Sequence, residues 1–146
     1  MMSYRLKLLL ALTVCLSGSQ SFAFGNLSAD EVTKIFSGNT VEGERREGGT
    51  PGIDAPNKLE DVPTRFVVYF DKNGTARKKT GNKSKPGKWR VAGDGGLCIK
   101  WKGKKEKCAP VQKSGDVYMR TITRKSGFIL FESRYISFTP GNKHGL

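Results

Sequence analysis

The amino-acid sequence predicts a mainly β domain, an antiparallel meander forming a small barrel or sandwich, with a short helix in front of it. Three observations carry that expectation. From residue 65 onward the apolar residues fall in short alternating or aromatic runs, the period of strands with one buried face. Turn residues punctuate those runs at close intervals, as in 71–74 and 93–96. Only the stretch 28–38 combines helical spacing with a start and a stop signal.

The chain begins with Arg5 and Lys7, which meet the apolar run Leu8 to Leu16, followed by Ser17-Gly18-Ser19-Gln20 and then Ser21-Phe22-Ala23. A charged start, an apolar middle and small residues at the two positions a signal peptidase reads make a secretory signal peptide, 1–23, cleaved after Ala23. The apolar run is less than half of the roughly 20 residues a spanning helix needs, so no transmembrane anchor is expected after cleavage. Cys15 sits inside the run behind Val14, which argues against lipid attachment. The expected mature protein is one domain, 24–146, in the periplasm or secreted.

Residues 24–38 read as a capped helix. Ser28 and Glu31 form a capping box, Leu27 can staple to Val32, and Val32, Ile35 and Phe36 make one apolar stripe that ends at Gly38. A short strand is expected near 39–41, then a long surface loop at about 42–64, where mixed charges and Gly48-Gly49-Thr50-Pro51-Gly52 break any period. Strands are then expected over 65–70, 75–79, 88–92, 97–102, 107–112, 117–123, 127–132 and 135–139. Asn73-Gly74 suits the two positive-φ positions of a tight hairpin turn. Short strands on short turns fit a lipocalin-like barrel, whose closure removes exposed edges, or a tight sandwich. Most aromatic residues are expected to fill the core. The same pattern leaves open an aromatic-lined cavity for one small ligand.

Two cysteines remain after cleavage, Cys98 and Cys108. In an oxidising compartment they are expected to form a disulfide across a hairpin. Placing them opposite each other sets Ile99 against Lys107, Lys100 against Glu106 and Trp101 against Lys105. Leu97, Ile99 and Trp101 then share the core face, and the disulfide lies on the wetter one. No metal set is legible, since the sole histidine, His144, stands in the C-terminal tail. No cofactor motif is present either.

The mature part carries 24 basic residues against 13 acidic, a formal charge of +11. Thirteen of the basic residues lie between Lys72 and Lys107, where only Asp94 and Glu106 oppose them. Arg77, Lys78, Lys79, Lys88, Arg90, Lys100, Lys102, Lys104, Lys105 and Lys107 are the candidate anion-binding residues. Such a face is either a solvated surface or a contact for an anionic lipid, glycan or acidic protein. The Lys104-Lys105-Glu106-Lys107 run is similar to short basic patterns for sulfated glycans. Nucleic acid is disfavoured, because no zinc-finger, helix-turn-helix or RNP-like pattern occurs.

Catalysis is disfavoured on chemistry. A hydrolytic triad needs a histidine base beside its nucleophile, and Gly-x-Ser-x-Gly, phosphate-loop and His-Glu-x-x-His patterns are absent. The expectation is a non-enzymatic protein of the bacterial cell envelope that binds an anionic partner. The alternatives are a small-ligand-binding barrel, or an inhibitor of an extracellular or host enzyme acting through a loop such as 48–63.

Several segments resemble the DUF995 family of small exported bacterial proteins of unknown function. They are Leu27-Ser28-Ala29-Asp30-Glu31 with Phe36-Ser37-Gly38-Asn39-Thr40, then Tyr69-Phe70-Asp71-Lys72-Asn73-Gly74-Thr75, Gly87-Lys88-Trp89-Arg90-Val91, and Gly96-Leu97-Cys98-Ile99-Lys100-Trp101 through to Cys108. The resemblance covers most of 27–123. It implies a periplasmic or secreted protein with a disulfide hairpin, and it supplies no activity.

Overall fold

The structure, a computed structural model, describes residues 25–146; the expected signal peptide and Cys15 lie outside them. The helix α1 (Ala29–Phe36) precedes nine strands: β1 (Asn39–Glu47), β2 (Thr64–Phe70), β3 (Thr75–Thr80), β4 (Lys83–Val91), β5 (Gly96–Trp101), β6 (Lys107–Pro110), β7 (Gln112–Ser114), β8 (Val117–Thr123) and β9 (Ile129–Pro140). They form one antiparallel sheet in the order β6-β5-β4-β3-β2-β1-β9-β8-β7, which curls until β6 lies beside β8 without pairing to it. The molecule is therefore a nearly closed antiparallel barrel with one short N-terminal helix, and of the two predicted shapes the barrel is the one found.

The helix forms where its signals lie. Ser28 accepts from the Glu31 backbone N–H, and the Glu31 carboxylate accepts from the Ser28 N–H at 2.8 Å. Gly38 takes the left-handed conformation that ends the helix, with φ of 74°. At two turns the helix depends on what it packs against. Val32 and Phe36 are fully buried, and Phe36 meets Phe70, Tyr135 and Phe138 edge-on, with ring centroids 5.0–5.4 Å apart. The helix thus stoppers one end of the barrel.

Beneath it the inward faces of the strands fill the core. Val41, Phe66, Val68, Phe70, Trp89, Leu97, Ile99 and Tyr135 are buried there, as alternation along the strands predicts. Trp89 donates its indole N–H to the Asp71 carbonyl at 2.8 Å, so its one polar atom is satisfied.

Several boundaries differ from the sequence expectation. β1 runs on to Glu47, so the following loop spans residues 48–63. It was hidden because Gly43, Arg45 and Glu47 occupy the inward positions where an apolar residue would mark a strand. β1 is also central, pairing with β2 on one side and β9 on the other. β4 starts at Lys83, and the expected strands 127–132 and 135–139 are one continuous β9 with an irregularity opposite Glu42 and Gly43. At the β2–β3 hairpin only Gly74 has positive φ, at 85°. Gly74 N–H donates to Asp71 O and Asp71 N–H to Thr75 O, so the turn is longer than the two-residue one expected.

The edge strand β6 and the part of β8 that the short edge strand β7 leaves unpaired, from Arg120 onward, do not share a hydrogen-bonded ladder. At the helix end the chain itself crosses the gap at Val111, whose carbonyl accepts from Leu27 N–H at 2.9 Å. In the middle Arg120, only 3 % exposed, reaches across from β8. Its Nε donates to Leu97 O of β5 at 3.0 Å and its Nη2 to Lys107 O of β6. Apolar packing also crosses the seam, Ala109 of β6 clustering with Ile122 of β8 and Phe131 of β9, and beyond Arg120 no hydrogen bond spans it among the described residues.

Candidate functional site

The unsealed stretch of the seam is a cleft of about 390 Å³ at the barrel end opposite the helix. Its apolar lining is Ile99 and Trp101 from β5 and Leu130 and Phe131 from β9. Its polar lining is cationic: Arg45, Arg120, and Lys104, Lys105 and Lys107 around the β5–β6 turn. Arg45, Ile99, Trp101, Arg120 and Phe131 also border a small open recess of about 30 Å³, reached by Lys78, Ser133 and Tyr135. The cleft floor and the recess are therefore neighbours, and below them the core is filled.

Each side chain has a local reason to be there. Val68 faces Lys78 across the β2–β3 ladder, so Lys78 shares the inward face of a buried valine. Its ammonium lies 5.2 Å from the Trp101 ring centre, and no carboxylate reaches it within ion-pair distance among the described residues. Burial holds its pKa below that of an ordinary lysine, the nearby Arg45 and Lys85 charges add to the depression, and Glu47 opposes it more weakly. The Trp101 ring in turn lies across Gly87 of β4, where a Cβ would stand 2.6 Å from the indole. Only glycine at 87 admits that ring. Arg45 stacks over Phe131, its guanidinium carbon 3.8 Å from the ring centre, and Nη2 donates to Glu47 at 3.0 Å. Arg45 Nε is 2.6 Å from the same carboxylate but finds no hydrogen-bonding direction there.

The ten basic residues singled out from the sequence do not form one patch. Lys78 points inward, and Lys104, Lys105 and Lys107 line the cleft. Arg77, Lys79, Lys88, Arg90 and Lys100 lie exposed on the outer wall of β3–β5, with Lys102 in the turn beyond. On that wall Lys88 stands directly opposite Lys100. Opposed like charges destabilise a sheet, and this pair has no acidic residue in register.

Cys98 and Cys108 are bonded and directly opposite, with Ile99 against Lys107 as expected. The disulfide sits on the outer wall, but Cys98 is fully buried and only Cys108 meets solvent. The expected Lys100–Glu106 pair does not form, because the ladder stops at Lys107 and the turn carries Glu106 toward β4. There Arg90 binds it, Nη2 to Oε2 at 2.7 Å, and that hydrogen bond holds the Glu106 carboxyl below the usual range. Cys98, Glu106 and Cys108 converge as a metal site would. With the sulfurs bonded to each other and the carboxylate engaged, the trio has no thiolate to offer.

A wider groove of about 520 Å³ runs over the outer wall beside Ile136, but its rim mixes Glu42 and Glu44 with Arg65 and Lys79. Phe66 is its one aromatic lining residue, against Trp101 and Phe131 in the cleft, and its charges are of both signs. The 48–63 loop is braced by Asp54, which accepts from Thr50 N–H and pairs with Lys58, and it holds Ile53 83 % exposed.

No family model, curated protein or solved structure matches the chain. The residues Gly87, Trp89, Cys98, Trp101 and Cys108 have a structural meaning here: Gly87 seats Trp101, Trp89 ties β4 to the β2–β3 turn, and Cys98 and Cys108 staple the hairpin that walls the cleft.

Proposed function

We propose that the protein is a non-catalytic binding protein whose barrel takes one small, largely apolar molecule in the cleft at its open end. The observation that carries this reading is the unsealed seam: a concave space of ligand size, walled by Ile99, Trp101, Leu130 and Phe131, above a filled core. Histidine chemistry is remote from it, since the His144 ring lies beside Glu42 on the outer wall. The test is titration with a neutral apolar fluorophore, N-phenyl-1-naphthylamine. Saturable one-to-one uptake that Trp101→Ala abolishes is expected. Uptake that never saturates, or that ignores Trp101, overturns the reading.

The same proposal places the protein outside the cytoplasm after cleavage at Ala23, as a member of the DUF995 family. The leader-like sequence of 1–23 and the Cys98–Cys108 bond support it. A second reading concerns the outer wall. Lys88 opposed to Lys100, with Arg77 and Lys79 alongside, suits a surface that meets an anionic lipid, glycan or acidic protein. Retention on heparin that falls steeply with salt, and that Lys88→Gln with Lys100→Gln weakens, supports this contact; no retention at low salt removes it.

A further inference from the structure

The cleft floor holds more positive charge than the fold can use. Arg45, Lys78 and Arg120 converge on the small recess, and only one carboxylate, Glu47, is in contact with any of them. Glu47 is committed to Arg45. Arg120 spends Nε and Nη2 on the seam carbonyls, which leaves Nη1 without a protein acceptor among the described residues. Lys78 has three donors and no acceptor at all among those residues. No acidic residue lines either the cleft or the recess. Lys78 is half-buried, and neither its ammonium nor Arg120 Nη1 is sealed from water without a partner, so both donors remain open to an anion, which they would hold through charge-assisted hydrogen bonds.

From this we infer that the molecule taken by the cleft is an amphiphile with a single anionic oxygen headgroup, a carboxylate or a phosphate, bound between Lys78 and Arg120 with its apolar chain over Trp101 and Phe131. The inference rests on the cleft being a ligand site. The recess of about 30 Å³ has room for a small polar group and is lined by Arg45, Lys78 and Arg120, whereas the apolar residues Ile99, Trp101, Leu130 and Phe131 wall the larger cleft. That sets the orientation: head inward at the floor, chain outward between the hairpin of β5 and β6 and the start of β9. The aromatic rings flank the chain, and Lys104, Lys105 and Lys107 at the rim steer the anion inward.

The experiment compares decanoate, decyl phosphate and decanol, each below its micelle threshold, by calorimetric titration at physiological ionic strength. The two anions are expected to bind about tenfold or more tighter than the alcohol, the difference a desolvated charge contact makes. Between the anions, the tighter one identifies the headgroup. Lys78→Met is expected to erase the preference by bringing both anions down to the affinity of decanol for the same variant, and Lys78→Gln repeats the test should the methionine variant fold poorly. The outer-wall pair Lys88→Gln with Lys100→Gln is expected to keep the preference, which separates the floor from general surface charge. Equal binding of all three compounds, or a preference that survives both Lys78 variants, overturns the headgroup site while leaving the cleft standing. Binding of none of the three overturns the cleft reading itself.

Discussion

Arg120→Met tests how the barrel is closed. The guanidinium is 3 % exposed and has no acidic partner, and its two engaged nitrogens go to Leu97 O and Lys107 O on the far side of the seam. Methionine keeps length and apolar bulk but donates nothing. The variant loses two charge-assisted hydrogen bonds of roughly 1.5–3 kcal/mol each and leaves two carbonyls under-satisfied. Against that, a buried charge no longer has to be desolvated, which returns part of the loss. The expected net destabilisation is about 2–3 kcal/mol, which for a domain of this size lowers Tm by roughly 10 °C. The assay pairs urea unfolding with amide hydrogen exchange. Protection is expected to fall in β6 and β8, while β2 and β3, which keep their ladder, change only with global stability. A variant as stable as the parent, or a loss of protection spread evenly over all strands, would refute the reasoning.

Reduction, or Cys98→Ala with Cys108→Ala, opens a bond spanning 10 residues and is expected to cost roughly 3 kcal/mol, read as the difference in urea midpoint with and without dithiothreitol. Phe36→Ala leaves a hole where three aromatic rings meet and is expected to cost about 3–5 kcal/mol, with α1 losing its exchange protection first. Gly87→Ala drives a methyl into the Trp101 indole and is expected to lower uptake in the cleft by more than it lowers Tm; fluorophore titration beside a melt separates the two. Lys78 has its pKa depressed in the fold by burial and by Arg45 and Lys85. Between that lowered value and the ordinary one of 10.5 the unfolded chain holds the extra proton, so stability from this group rises with pH through the alkaline window, and Lys78→Met removes the rise. Urea unfolding of both proteins across that window checks it.

The elements legible in the sequence were those whose buried positions are apolar. Phe66, Val68 and Phe70, or Leu97, Ile99 and Trp101, announce their strands because alternation puts hydrocarbon on one face. Cys98 against Cys108 set a register that the structure keeps as far as Lys107. The cleft was not legible for the same physical reason. Its inward positions on β1 are Gly43, Arg45 and Glu47, and its latch on β8 is an arginine between Tyr118 and Ile122, so the alternation that marks a strand is broken where the site is built. Leu130 and Phe131 are adjacent apolar residues with equal claim to the core, and only the pairing of Phe131 with Glu47 of β1 settles which way each points. A faint signal existed in Arg120 itself, a charged residue on the face its apolar neighbours assign to the interior. Such a residue asks what satisfies it, and here the answer is two carbonyls across a seam that no ladder closes.

Closure and binding are thereby joined in one side chain. A barrel sealed by backbone hydrogen bonds around its whole circumference would have no opening between β6 and β8, and a barrel with no seal there would expose two edges to pairing with other chains. Arg120 lies between those outcomes. It holds the strands at the middle of the seam, covers the core below, and leaves the cleft open above. Because it also lines the cleft floor, an anion seated there polarises the same guanidinium that grips Leu97 O and Lys107 O. Ligand and seam are then coupled through a shared group, and a ligand that binds only the closed arrangement stabilises it by mass action. The basic character of the cleft and the incomplete barrel are, on this argument, one design problem with a single residue at its centre.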